Sequence, residues 1–306
     1  MNKKIQILLS TYNGEKYLKE QLGSYINLSN FEEVKVLIRD DGSSDGTLEI
    51  LKQYKEQFGF EVIEGKNLGV NASLLELFNH CDLNCMYFAL SDQDDVWKSN
   101  KLEIALETLE NQEDELIPTL FSTCSAITDE NLNIIGTSLN PNRGTSFYNA
   151  MIQNVCPGHT QVFNRAMLKE LREHNHSDIF VLDFWNYLVA SAIGKVYFNP
   201  KCTVYHRQHG RNSVGYELNF WKSTYNRIKR LRFKESDLTT LQLRAFYNLY
   251  KDRISDEYRK ELEAFFTGQD SLSSRLKYVV IGKAYRQTKY ETGIFKFLYL
   301  LGKYHF

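Results

Sequence analysis

An alternation of two periods in the first hundred residues most limits what this chain can fold into. "IQILLS" (5–10) is a continuous apolar run and reads as a strand buried on both faces. "EKYLKEQLGSYINL" then sets Tyr17, Leu18, Leu22, Tyr25 and Ile26 at helical spacing. The exchange repeats three times: strand "VKVLIRD" (34–40) before helix "DGTLEILKQYKEQF", strand "FEVIEG" before helix "NASLLELFNH", and strand "MYFALS" (86–91) before helix "NKLEIALETLENQ". Strands separated by helices of about ten or more residues need crossover connections, which run right-handed and make a sheet parallel. The expected class is α/β, a mostly parallel central sheet flanked by helices.

Ligands of such sheets bind beyond the carboxyl ends of the strands. Strand one ends in Ser10-Thr11-Tyr12-Asn13-Gly14 and strand two in Asp40-Asp41-Gly42-Ser43-Ser44-Asp45. Strand three is followed by Asn67-Leu68-Gly69, and strand four by Asp92-Gln93-Asp94-Asp95. Any one cluster is consistent with turn chemistry, and Ser44 or Asp45 with a helix cap. Four converging on one edge point to a binding site. Asp92, Asp94 and Asp95 crowd like charges together, and something must compensate them. Hard divalent cations are held by carboxylate oxygens together with substrate phosphates, so a metal would keep these groups charged. A nucleotide diphosphate is the natural third party. A solvated acidic turn capping the next helix is the simpler alternative.

With 306 residues, the chain suits one large domain, alone or with an appendage. Its net charge of −1 hides an asymmetry: residues 1–220 carry 19 Lys/Arg against 29 Asp/Glu, and residues 221–306 carry 18 against 9. A basic end on an acidic body suggests an anionic partner such as a membrane surface or phosphates. The five cysteines are odd in number and lack zinc-ligand spacing, which reads as thiols in a reducing compartment. The apolar run of "MNKKIQILLSTYNG" is too short for a signal peptide, and nothing approaches the ~20 apolar residues needed to span a bilayer. The expectation is a cytoplasmic protein that does not cross a membrane.

"ILLSTYNGEKYLKEQL", "VLIRDDGSSDGT", "NLGVNAS" and "ALSDQDDVWKSNKL" follow the order and approximate spacing of family 2 glycosyltransferases of the GT-A fold. "SDQDDVW", with the later "ASAIGKVYF" and "VYHRQHGRNSVG", resembles their bacterial rhamnosyltransferase branch. The resemblance covers about residues 3–215. It implies a catalytic domain over 1–215, with a nucleotide-sugar half at 1–100 and an acceptor-side half at 101–215. A helical, basic and aromatic region follows at 216–306.

Residue by residue, the resemblance implies that Thr11, Tyr12 and Asn13 lie against the nucleotide. Asp41, with Asp40 the alternative, accepts from the uracil or thymine ring, and Asn67 borders the base. Asp92 and Asp94 form the DxD pair, Asp92 on ribose or metal and Asp94 on the metal, a Mn2+ or Mg2+ ion. Gln93 belongs to the nucleotide-sugar site, and Asp95 and Trp97 support it. "VCPGHTQVFNRAML" (155–168) resembles the acceptor-side loop and strand around Gly158. His159 departs from the small residue usual there, and a packed or loop histidine is the simpler reading of it.

"FVLDFWNYLVASAIGKVYF" (180–198) reads as Asp183 capping an apolar helix that Gly194 closes. Asp183 also matches the family's general base. Inverting transfer is a single displacement, so one carboxylate must take the acceptor hydroxyl's proton. Leu182 and Phe184 stand where the family has His and Trp, with Trp185 one place later. "VYHRQHGRNSVG" (204–215) reads as a loop; the resemblance implies a flexible segment closing over the donor, with Arg207 and Gln208 toward the diphosphate and His209 as a further metal ligand. His206 is given no role.

Beyond 216, "LNFWKSTYNRIKRLRF", "LQLRAFYNLYKDRI" and "YRKELEAFFTG" read as amphipathic helices, and the last stretch is basic and aromatic. Packing onto the catalytic domain, a peripheral membrane contact and a homodimer interface are all open. The resemblance implies an inverting, metal-dependent transferase moving L-rhamnose from dTDP-L-rhamnose onto a polysaccharide growing on a polyprenyl-diphosphate lipid at the inner face of the cell membrane. A UDP-hexose donor is the alternative, followed by a sugar nucleotidyltransferase and an inactive donor-binding relative. "STYNGEKY" lacks the Gly-rich basic loop of nucleotidyltransferases. No nucleic-acid partner is expected.

Overall fold

The four N-terminal apolar runs form strands β1 (Ile5–Thr11), β2 (Val34–Asp40), β3 (Glu61–Glu64) and β4 (Tyr87–Ser91) of a computed structural model that describes residues 4–111, 115–173, 179–209 and 235–303. Between them lie helices α1 (Glu15–Ile26), α2 (Thr47–Phe58) and α3 (Val70–Asn79). The strands pair in parallel in the order β3-β2-β1-β4, with Thr11 beside Asp40 and Leu9 beside Ser91 at their carboxyl ends. Central β1 is buried at six of seven positions and β4 at all five, as two-sided helix cover requires. The expected α/β class with its parallel half is what the chain forms.

The sheet continues through β8 (Val162–Asn164), which runs antiparallel to β4 and also to the ten-residue β6 (Thr119–Thr128). β9 (Lys195–Arg207) lies parallel to β6, β5 (Val96–Trp97) closes that edge, and β7 (Ile134–Thr137) hangs from β6. Helices α4 (Lys101–Leu109) and α6 (Arg165–Glu173) complete this part. Strand β6 is buried throughout although half of it is Ser or Thr. Its hydroxyls are satisfied internally: Ser122 with Thr160 (2.6 Å), Thr123 with Thr203 (2.6 Å) and Ser125 with His159 (2.7 Å).

The chain divides into two compact units. The first is Met1–Asn140, Cys156–Asn175 and Lys195–Tyr216, and holds the whole sheet. The second is Pro141–Val155, His176–Gly194 and Glu217–Phe306. It is helical: α5 (Phe147–Ala150), α7 (Leu182–Ile193), α8 (Glu235–Tyr250), α9 (Asp256–Thr267), α10 (Leu272–Ile281) and α11 (Lys289–Leu300). Its core is aromatic, with Trp185 of α7 edge-on to Phe246 of α8 (6.0 Å) and Phe147 of α5 stacked on Tyr258 of α9 (4.3 Å). The expected helices "LQLRAFYNLYKDRI" and "YRKELEAFFTG" correspond to α8 and α9; the one expected at 218–233 lies outside the described residues.

Three local readings change. Asp183 is not the cap of its helix. Val181 holds that position and Asp183 sits in the first turn, where the positive end of the helix dipole still favours its charge. Gly194 does close α7, its N–H meeting Ala190 O. Gly46 stands at the start of α2, and the adjacent Asp45 serves the helix end, its Oδ1 accepting from Thr47 N–H (3.1 Å) and hydroxyl (2.5 Å). Finally, residues up to Arg207 are strand and not loop, because β9 keeps its pairing with β6 as far as Thr128. Residues 210–215 lie outside the described chain.

All five cysteines are free, and four of them are buried. Among the described residues no helix is long and apolar enough to cross a membrane.

Candidate active site

The loops at the carboxyl ends of β1, β2 and β4 are stitched together by side chains expected to contact a ligand. Asn13 has a left-handed backbone (φ 48°), a conformation asparagine tolerates better than most residues. Its Oδ1 accepts from Ser44 N–H (2.8 Å) and its own N–H donates to Ser43 Oγ (2.9 Å). Gln93 Oε1 accepts from the Thr11 hydroxyl (2.6 Å) and Tyr12 N–H (2.9 Å), and its Nε2 donates to Tyr12 O (3.2 Å). A Cβ on Gly14 would lie 2.6 Å from that Gln93 oxygen, so glycine lets the two loops meet. Thr11 is buried, while Tyr12 is 47% exposed.

Asp40 and Asp41 are both buried, and both are engaged. Asp40 accepts from Gly42 N–H (3.1 Å), Ser43 N–H (2.9 Å) and the Ser43 hydroxyl (2.5 Å). Asp41 takes Leu68 N–H and Gly69 N–H at 2.8 Å each, and forms a buried ion pair with Arg39. Arg39 also donates to Ser73 Oγ (2.9 Å) and Lys66 O (3.0 Å). Asp40 therefore holds the turn after β2 and Asp41 the loop after β3, where Asn67 sits exposed to solvent.

The acidic corner after β4 answers its own charge problem with histidines. Asp92 faces His159 (3.5 Å), Asp94 faces His209 (2.7 Å) and Asp95 faces His206 (2.8 Å). The His159 and His206 rings stack at 4.3 Å and 5°. The 3-10 turn Gly158–Thr160 delivers His159, whose Nε2 is held by Ser125 Oγ (2.7 Å), leaving Nδ1 toward Asp92. Beneath lies Lys101, buried, its Nζ donating to His159 O (2.6 Å) and sitting 3.3 Å from the Trp97 ring centroid. Burial pushes the Lys101 amine well below its ordinary pKa, against the pull of Asp95 and Asp92.

The carboxyls separate in acidity. Burial and the charges of Asp95 and Asp92 raise Asp94. Desolvation resists the charge on Asp92, but the bond to His159 and the nearby His206 and Lys101 outweigh it and lower its pKa. Burial also opposes charge on His206, yet Asp95, backed by Asp92 and Asp94, pushes it up to about 9.

Arg207, expected on a mobile loop, is a buried strand residue. Its guanidinium donates to Asp94 O (3.1 Å), Glu130 O (2.6 Å) and Glu20 (2.6 Å) and lies over Tyr17. Its backbone N–H reaches Asp95 Oδ1 (3.2 Å). Gln208 follows, its N–H on Thr128 O (2.9 Å), and His209 stacks on Tyr17 at 4.9 Å.

One oxygen or nitrogen from each of Asp92, Asp95, His159 and His206 lies within 4.8 Å of all the others. Asp95 Oδ2, in addition, is buried without a hydrogen-bond partner among the described residues. Two carboxylates and two imidazoles with an orphaned oxygen among them suit a divalent first-row ion. Of the expected ligands Asp92, Asp94 and His209, only Asp92 belongs to this group; Asp94 and His209 bond each other beside it. The resemblance implies only a supporting place for His159 beside Gly158 and none for His206, and nothing in the sequence points to Lys101. A histidine in "VCPGHT" and another in "VYHRQHG", within two stretches that carry the family resemblance, were the available signal for the first two. Lys101 looks like any polar residue at a helix start, and only its burial sets it apart.

Asp183 and Trp185 lie on α7 of the second unit, Asp183 partly buried and Trp185 fully so.

A parallel β3-β2-β1-β4 half, an acidic corner at the end of β4 and a mixed second half define a GT-A glycosyltransferase. The solved structures it resembles have that fold: S. aureus TarS 1-349 in complex with UDP (TM-score 0.58, 16% identity, covering 98% of this chain and 80% of that one). The mannosyltransferase PcManGT from Pyrobaculum calidifontis, in complex with GDP-Man and Mn2+, gives a TM-score of 0.57 at 14% identity over 99% of this chain and 86% of its own. Residues 6–172 match the family described as Glycosyl transferase family 2, and the chain belongs to that family. Among curated relatives, the dTDP-rhamnosyl transferase RfbG of Shigella flexneri is 26% identical over 246 residues, 74% of this chain and 80% of RfbG. An uncharacterized glycosyltransferase of Haemophilus influenzae is 26% identical over 74% of this chain and 72% of its own.

Proposed function

We propose that this glycosyltransferase is metal-dependent and inverting, and moves L-rhamnose from dTDP-L-rhamnose onto a lipid-linked bacterial surface polysaccharide at the cytoplasmic face of the membrane. The observation that carries it is the corner at the end of β4, where Asp92, Asp95, His159 and His206 converge. The similarity to RfbG, a dTDP-rhamnosyl transferase by description, supports the donor.

Asp92, Asp95, His159 and His206 would hold a divalent ion, Mn2+ or Mg2+, with Asp94 and His209 beside it. When bound, such an ion neutralises charge on the leaving diphosphate. The chain's own residues do the rest. Thr11, Tyr12 and Asn13 border the nucleotide, with the loop fastened by Asp41 forming the wall near the base. Gln93 keeps the first and fourth loops in register. Asp183 takes the proton from the acceptor hydroxyl as that oxygen bonds to the anomeric carbon and the carbon–diphosphate bond breaks on the opposite face. One carboxylate serves as the only protein base in such a displacement.

Transfer from dTDP-rhamnose, or its slow hydrolysis, tests this reading. Chelation should abolish turnover. Asp92→Ala and Asp183→Asn should each lower kcat by about two to four orders of magnitude, the range expected for lost charge stabilisation or general acid–base catalysis. Unchanged rates in both variants overturn it.

A further inference from the structure

Sixteen large apolar side chains are exposed among the described residues, and seven of them fall on one short stretch of the second unit. Leu272, Leu276 and Val280 repeat every fourth residue along α10, with Ile281 at its end. Tyr290 and Phe297 stand on α11, and Leu301 follows it by one residue. These side chains are not part of a core. The opposite sides of the same helices already bury Tyr278, Phe295 and Tyr299, and Tyr299 donates to Phe265 O (2.6 Å). The two helices run antiparallel, tied by Lys296 Nζ to Val279 O (2.7 Å) and Arg275 to Leu300 O (3.3 Å). Val280 and Phe297 thus lie at one level of the pair, and Leu276 and Leu301 at another.

Charge selects the occupant. Residues 268–303 hold seven Lys/Arg against two acids, and Lys277, Lys289 and Lys303 are exposed. A second copy meeting this face symmetrically would bring the same positive excess against itself, and like charges across an interface are costly. An anionic bilayer meets both properties at once. Its headgroups take the lysines, and its acyl boundary takes apolar rows set in a basic rim. We propose that the α10–α11 face docks on anionic lipid membrane, with Leu276, Val280 and Phe297 entering the interface. The proposal goes beyond the transfer reaction and does not depend on it.

The full chain would be sedimented with phosphatidylcholine vesicles made with and without phosphatidylglycerol. Partitioning should be at least about tenfold stronger with the anionic lipid and should weaken as salt rises. Leu276→Glu with Phe297→Glu should lower it by about tenfold or more, and Lys277→Glu with Lys289→Glu should remove the preference for phosphatidylglycerol. Thermal unfolding and donor hydrolysis of these variants should match the parent, since the altered side chains are exposed and none belongs to the acidic corner. Absence of binding to anionic vesicles, or binding indifferent to these substitutions, overturns the proposal. So does a concentration-dependent dimer in light scattering that the apolar-to-Glu changes dissolve. Each of these outcomes leaves the transfer reaction itself standing, because that is tested by turnover; only its membrane location would lose support.

Discussion

His206 concentrates the physics of the corner in one side chain. Its ring is stacked on His159 and bonded to Asp95, and its pKa in the folded chain rises from 6.5 to about 9. A raised histidine binds its proton more tightly folded than unfolded, so the stability it lends is fully present below about pH 6.5 and is lost as pH rises through about 9. For the metal-free protein, chemical denaturation across that window should show stability falling by up to about 3 kcal/mol from this group. His206→Phe, which keeps a ring on His159, should flatten the slope. An unchanged slope in the variant would mean that His206 is not the group responsible. Lys101 carries the opposite tendency: burial pushes it toward neutrality although the neighbouring Asp95 and Asp92 favour its charge.

Among elements, the loop after β3 shows how a buried ion pair can shape a binding edge. Arg39 of β2 reaches Asp41, Ser73 and Lys66 O, while Asp41 takes two N–H groups of the loop. Removing one partner leaves a charge buried without compensation. Arg39→Met should therefore cost about 3–5 kcal/mol in urea denaturation, more than its surface exposure or position in the strand pattern would suggest. A loss below about 1 kcal/mol would show that the pair does not organise the loop. The same network occupies Asp41, and the turn bonds from Gly42 and Ser43 occupy Asp40, so these two expected acceptors for a base both serve the protein itself. An apolar run followed by "DDGSSDG" announces a turn with polar capacity, but not which hydrogens that capacity will meet.

At the level of the whole molecule, the sheet-bearing unit gathers the loops after β1, β2, β3 and β4, and the helical unit carries Asp183 and the apolar, basic face of α10 and α11. Ligand binding should report on the first of these directly. A thermal-shift screen of dTDP- and UDP-sugars with and without Mn2+ should raise Tm most for dTDP-rhamnose with the ion, since a ligand at a hundred times its Kd adds about 2.7 kcal/mol to the folded state. A larger shift with a UDP-hexose would move the donor assignment to that class.

The sequence alone determined the parallel α/β half and the edge where its polar strand-end loops lie. Those features follow from local periods, apolar runs and turn residues, which act over a few positions and can be read in a line. Only the tertiary structure decided the partners of the acidic corner. His159 and His206 come from segments 67 and 114 residues beyond Asp92, and they meet it only because β8 and β9 join the same sheet. Long-range packing settled the remainder: pairing with β6 keeps Arg207 in a strand, burial sets Lys101 apart and pushes it toward neutrality, and Asp183 lies two places inside a helix whose cap is Val181. How much water a side chain loses depends on what packs against it from afar, and that is not written in its neighbours.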